Sequence, residues 1–413
     1  MKMTKPSVTN LSRFSIIFFI FLIIFLPSGN IGSFNIKMLS MALMLLVTLI
    51  FVVNNKKLRV QSVAILGTVI LMLFFVFLNY MNATTVALVR GYSSTEAILF
   101  LSYFISTAVL FIVIIEGLIS KEAVVKAIIY SCLYYSLVKI IITLLSVVGV
   151  ISINSVSQVI YATYGIKPML FPITERLSRF QLANDYIVCF TLFFLMVKRS
   201  DVYFISKKVL NIISIVLIIS VLISFSRYMM LLIIIAMLIK LFSIKKVSGK
   251  GVFFIFFSVI FLMIVYFLNM NDVNDAIALR FSSEDNNVSD ATRQFQINCL
   301  SAAFEDKPLL GHGGLGDFSQ NCPGPRDAEF SYEVQYLGFL YRFGIIQTIL
   351  LIILFISQFF IAMQSSVFER RNLPSLLAVA CWLLIGFFNP YLVSGYASVI
   401  MTLSLCFTYQ RIR

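Results

Sequence analysis

Apolar residues along this chain come in long runs separated by short polar breaks. Twelve runs stand out, at 14–27, 36–53, 60–80, 96–118, 122–150, 181–198, 207–224, 227–244, 251–269, 334–363, 374–389 and 391–409. A hydrocarbon layer about 30 Å thick asks for roughly 20 residues of helix at 1.5 Å each. Each run is therefore predicted to be a membrane-spanning helix. The stretch "ISFSRYMM" (Ile223 to Met230) leaves one joint open, because a single kinked helix there would make eleven spans. The opening "RFSIIFFIFLIIFLPSG" lacks a small-residue cleavage site and reads as an ordinary first span. No internal repeat and no relation between halves is visible. The expected fold is an all-α integral membrane protein, one polytopic membrane domain over residues 1–413 with about twelve transmembrane helices.

Composition agrees, since 60% apolar and 12% charged residues exclude a soluble domain of this length. Orientation is read from Lys and Arg, which cytoplasmic loops retain. With a cytoplasmic N-terminus, 20 of the 32 cations fall inside, eleven fall outside, and Lys139 lies within the fifth span. The net charge of +14 then reports topology and anionic membrane lipid, with no nucleic acid among the partners. Eight of the eleven outer cations are Arg, against seven of 20 inside. A guanidinium holds phosphate oxygens in two-point contacts that a lysine cannot make, so the outer set is expected to bind an anion.

Polar residues concentrate in two outer loops, 151–180 and 270–333, the second expected to carry short helices such as an amphipathic one from about Asp290 to Phe304. Long ordered loops usually carry function. The sequence "GHGGLG" (Gly311 to Gly316) lacks the Gly-Lys-Ser/Thr ending of a phosphate loop and is read as a tight turn that permits close backbone approach. His312 is the only histidine, so no Ser-His-Asp set and no recognisable zinc spacing can be built. Asp272, Asp275, Glu284, Asp285 and Asp290 read as a solvated acidic loop without calcium-loop spacing. Cys299 and Cys322 flank "GHGGLG", and both a disulfide and two free thiols remain open.

One carboxylate raises a sharper question. Glu333 opens the tenth apolar run and, on a helix, would share a face with Tyr336, Leu337, Leu340 and Gly344. A carboxylate at bilayer depth costs about 2.5 kcal/mol or more and usually pairs or lines a polar cavity. An acid that merely starts a helix is the other reading.

The stretches "PLLGHGGLGDF" and "SYEVQYLGFLYRFGII" resemble the last large loop and following span of bacterial O-antigen polymerases and, more distantly, of O-antigen ligases. "ERLSRFQLAND" and "SFSRYMMLLI" are similar to that family's Arg-then-Asn and Ser-Arg helix starts. The resemblance implies a glycosyltransferase-C-like membrane enzyme of the bacterial inner membrane, acting at the periplasmic face on undecaprenyl-diphosphate-linked glycans as donor and acceptor, without nucleotide sugar, metal or cofactor. It also implies a chain-length regulator protein as partner. In ligases a histidine on this loop stands eleven residues ahead of a glycine in the next helix; here that position is Glu333. The site expected from the resemblance and the residues together has Glu333 as base, with Arg176, Arg179, Arg227, Arg280, Arg293 and Arg90 for the diphosphate. His312, Tyr336 and Arg342 are expected in support. A ligase is one alternative function, and a flippase or transporter of lipid-linked saccharide is the other.

Overall fold

The computed structural model describes residues 5–31, 34–54, 58–90, 95–172, 178–243, 284–324, 329–363 and 369–408. Thirteen α-helices are described among them: α1 (Lys5–Phe25), α2 (Ile36–Asn54), α3 (Val60–Arg90), α4 (Thr95–Ile115), α5 (Lys121–Val147), α6 (Ile153–Tyr164), α7 (Asp185–Val197), α8 (Lys207–Ile223), α9 (Arg227–Ser243), α10 (Glu284–Asp306), α11 (Gln335–Met363), α12 (Leu373–Leu384) and α13 (Gly395–Cys406). Two small antiparallel hairpins join them, β1 (Asn30–Ile31) with β2 (Phe34–Asn35), and β3 (Met169–Pro172) with β4 (Ser178–Gln181), the latter in the register Met169 to Gln181. Eleven of the twelve apolar runs carry a helix, while 251–269 lies outside the described residues. Five described helices are long and apolar enough to cross a bilayer: α2, α3 over Val60–Met81, α4, α5 and α11. The protein is a multi-pass membrane protein.

Burial separates inner from outer helices. α7 and α13 are buried on nearly every side, and most of α4 is too. Peripheral helices instead turn Leu46, Ile70, Phe74, Phe77, Ile234 and Ile353 outward, each more than half exposed, as lipid-facing surfaces do. Hydroxyls inside the helices are satisfied locally, for example Thr48 to Met44 O and Thr402 to Ser398 O, both i to i−4.

Polar contacts tie helix ends together in two sets. At one end, Asn184 donates to the carbonyls of Ile23, Ile24 and Leu26, which the end of α1 would otherwise leave open, and Tyr396 donates to Pro27 O at 2.6 Å. At the other, Glu116 after α4 accepts from Arg59 N–H before α3 at 2.9 Å, and Lys121 of α5 donates to Thr408 O beyond α13 at 3.3 Å.

The structure decides one open alternative, corrects one expectation and adds detail to two. The joint at Ile223–Met230 is a true break, because Phe225 takes φ 44° between α8 and α9. α3 continues ten residues past Tyr80, to Arg90. The loop 151–180 holds a helix, α6, and nearly all of the β3–β4 hairpin. Glu333 is not on α11, which begins at Gln335; the acid sits in the turn before it, so it shares no helical stripe with Tyr336.

Candidate active site

Residues 307–324 and 329–334 and the head of α11 form one unit around Gly344. That residue interrupts α11 with φ 66° and ψ −176°, a conformation essentially reserved for glycine. In an unbroken helix the N–H groups of Ile345 and Ile346 would donate to Tyr341 O and Arg342 O, four residues back. Instead Ile345 N–H donates to Pro308 O at 2.8 Å and Ile346 N–H to Leu309 O at 3.4 Å. The released carbonyls accept from the loop, Tyr341 O from His312 N–H at 2.9 Å and Arg342 O from Gly313 N–H at 3.2 Å. A Cβ on Gly344 would stand 2.4 Å from the carbonyl carbon of Leu309, and one on Gly311 (φ 74°) 2.2 Å from Arg342 O. The glycines of this segment thus serve contact between loop and helix.

Side chains reinforce the junction. Arg342, 1% exposed, pairs with Glu96 at the start of α4, Nη2 to Oε1 2.7 Å. The second oxygen of Glu96 accepts from Gly316 N–H at 2.6 Å, and Arg342 Nη1 donates to Phe330 O at 2.7 Å. The rings of Tyr332, Phe339 and Phe343 surround the guanidinium, with centroids 5.6 to 5.8 Å away. Burial pushes the Tyr332 phenol up, opposed by Ser319 N–H and by the Arg342 charge. Cys299 of α10 is bonded to Cys322, with Cα atoms 6.1 Å apart, which resolves the two open readings of those cysteines. The bond packs with Leu300, Tyr332, Val334 and Tyr341 in a small core of its own.

Glu333 is held by α10. Its backbone N–H donates to the buried Gln296 Oε1 at 2.9 Å, and its carboxylate meets Arg293 Nε at 2.9 Å. The Glu333 side chain keeps 35% exposure and Arg293 24%, so this pair is reachable while Glu96–Arg342 is sealed. His312 stacks on Tyr341 at 5.2 Å and 14°, and its Nε2–H donates to Ala303 O. The Tyr336 hydroxyl donates to Leu383 O at 2.8 Å, which ties α11 to α12.

A second polar group gathers where α5, α7, β4 and the α8–α9 joint meet. Asp185 accepts from Lys139 Nζ at 2.8 Å, from the Tyr135 hydroxyl at 3.0 Å and from Leu182 N–H at 3.0 Å. Ser224 links this buried pair to the surface: its Oγ accepts from Lys139 Nζ at 2.6 Å and its carbonyl from Arg179 Nε at 2.9 Å. Gln181 also accepts from Arg179. Burial lowers the Arg179 pKa; Tyr186 and Asp185 oppose that, and the nearby Arg227 charge adds to it. Two predicted arginines, Arg179 and Arg227, are therefore neighbours. The rings of Tyr186 and Tyr391 lie 5.7 Å apart.

Compared with known proteins, residues 212–352 match the family model described as O-antigen ligase. That segment, about a third of the chain, is what resembles the O-antigen polymerase and ligase superfamily. No curated protein and no solved structure matches the chain. Enzymes of this superfamily transfer glycosyl groups and act on lipid-linked saccharides in the membrane. The matched segment carries Arg227, Arg293, His312, Glu333 and Arg342, whereas Arg179, Lys139, Asp185, Glu96 and Tyr391 lie outside it.

Of the predicted site, Arg293 joins Glu333 and Arg179 joins Arg227, as two groups. Arg342, expected among the outer cations, is buried in internal contacts. Arg176 and Arg280 lie outside the described residues, as do Asp272 and Asp275, and Arg90 ends α3 with its side chain outside the description. No cluster of three or more His, Cys, Asp or Glu that could hold a metal occurs among the described residues. Sequence reasoning missed Glu96 and Gln296. Glu96 had a signal, a single acid opening an apolar run, the same feature that drew attention to Glu333.

Proposed function

We propose that this protein is an O-antigen polymerase with about twelve spans in the bacterial inner membrane, joining undecaprenyl-diphosphate-linked repeat units at the periplasmic face. The observation that carries the reading is a reachable carboxylate, Glu333 with Arg293, in a protein that also gathers Lys139 and Arg179 on Ser224 beside Asp185, with the Arg227 charge acting on Arg179. Cations held together at a cost in desolvation are what an anionic group relieves, and a diphosphate leaving group supplies two negative charges to an arginine fork.

In the reaction, the acceptor hydroxyl oxygen bonds to the anomeric carbon of the donor sugar as the bond from that carbon to the diphosphate oxygen breaks. The hydroxyl proton passes to Glu333, and the electron pair of the broken bond stays on undecaprenyl diphosphate, next to Arg179 and Arg227. Arg293, in its ion pair with Glu333, orients the carboxylate until the acceptor arrives. No metal enters this scheme, because guanidinium groups supply the charge. The polymerase is favoured over the ligase at Glu333, where the ligase pattern has histidine, and by His312, whose Nε2–H is committed to Ala303 O.

The test is deletion of the gene followed by complementation. Deletion should leave lipopolysaccharide cores capped by one repeat unit, because flipping and ligation continue without polymerisation. Wild-type protein and Glu329→Gln should restore the ladder of longer chains, while Glu333→Gln, which keeps size and loses basicity, should lower chain formation by roughly 100-fold. Uncapped cores after deletion would replace this reading with a ligase or a flippase, and a full ladder from Glu333→Gln would remove Glu333 as the base.

A further inference from the structure

Among the described residues, α10 and α11 contact residues 307–324 and 329–334 as their neighbours in the chain. Glu96 comes from elsewhere: it stands on the first turn of α4, outside the matched segment, and is 4% exposed. Its two oxygens serve two limbs of the loop. Oε2 holds Gly316 N–H at 2.6 Å, and Oε1 holds Arg342, which in turn fixes Phe330 O, three residues before Glu333. A buried ion pair adds little net stability compared with two well-packed apolar side chains. What an apolar pair cannot do is choose which backbone N–H and which carbonyl sit where, and this carboxylate with its guanidinium does both.

We propose that Glu96 is a positioning residue for glycosyl transfer, setting through Arg342 and Gly316 the place of the loop that presents Glu333 and Arg293. The proposal rests on the polymerase reading for its chemistry and on the hydrogen-bond geometry for its mechanics. A displacement of about 1 Å at a reacting group can lower a rate by about 100-fold, and Glu333 follows by three residues the Phe330 carbonyl that Arg342 fixes.

The experiment compares Glu96→Gln, Glu96→Asp and the double variant Glu96→Gln/Arg342→Gln with wild type in two measurements. One is amide hydrogen exchange of the peptide covering Gly313 to Ser319, which needs no substrate. The other is steady-state chain extension per folded protein, using the lipid-linked oligosaccharide extracted from cells lacking the gene. Glu96→Gln should speed exchange of that peptide by about 10-fold or more, and lower kcat by about 10- to 100-fold with KM changed less than about 3-fold. The double variant, which leaves no charge buried without its partner, should fold yet keep the low kcat. Where these variants do not accumulate, Glu96→Asp decides: it keeps the charge with one methylene less, and faster exchange with reduced kcat supports the proposal. Wild-type exchange, wild-type kcat, or a loss confined to KM overturns it. Glu333→Gln measured in parallel separates the two ideas. Normal turnover there with impaired Glu96→Gln leaves the anchor standing and the base wrong; the reverse leaves the base standing and the anchor wrong.

Discussion

Replacing Gly344 by Ala tests whether the break in α11 depends on glycine. In the wild type two helical hydrogen bonds are exchanged for four to the loop, a surplus of two bonds worth about 1 kcal/mol each, or about 2 kcal/mol in favour of the docked loop. Alanine at φ 66°, ψ −176° adds about 1–3 kcal/mol of backbone strain to the docked state. It also favours a continuous helix by about 1 kcal/mol relative to glycine. The shift of about 2–4 kcal/mol equals or exceeds the surplus, and the overlap of the new Cβ with Leu309 backbone at 2.4 Å can be relieved only by moving the loop. The Cys299–Cys322 bond and the Glu96–Arg342 pair still favour docking, so the loosening should concentrate in residues 308–313. Hydrogen exchange separates the outcomes site by site. His312 and Gly313 N–H should lose protection by roughly 30- to 1,000-fold, the equivalent of that shift at 1.4 kcal/mol per tenfold, while Ile345 and Ile346 N–H stay protected because Tyr341 O and Arg342 O return to them. Protection of His312 within about 3-fold of wild type would refute the reasoning.

Two further outcomes follow from the cationic group. Arg179→Lys and Arg227→Lys keep the charge but lose the planar fork, so each should restore little chain formation in the deletion strain; a full ladder from both would mean that they supply field alone. Asp185→Asn should destabilise the protein by about 3–5 kcal/mol by leaving Lys139 charged and buried, and Asp185→Asn with Lys139→Met should recover most of that in thermal unfolding in detergent; a double variant as unstable as the single would deny the ion pair its energetic role.

The membrane made most helices legible, because a lipid interior accepts only long runs whose backbone bonds are satisfied within the helix. What sequence alone could not show were departures from that rule. The run 334–363 reads as one helix, since Gly344 carries no side chain to reveal that its φ is positive and that a loop lies against it. α6 is short and sits in a polar stretch, and the extension of α3 through "MNATTVALVR" lacks a strong apolar stripe. Residue type pointed to Arg179, Arg227, Arg293 and Glu333, but partner choice depends on which helix ends meet, as when Arg342 finds Glu96.

The Glu96–Arg342 pair also sets an order of events during biosynthesis. Its members are 342 − 96 = 246 residues apart, and at about 5–20 residues per second the arginine follows the glutamate by roughly 12–50 s. Through that interval α4 resides in the membrane with an acid whose partner has not been made. Cys299 and Cys322 are separated by only 23 residues, and their bond needs nothing from α4. The loop can therefore be stapled to α10 as a prefabricated module and seated afterwards, when Arg342 closes a contact that has waited since the fourth helix was inserted.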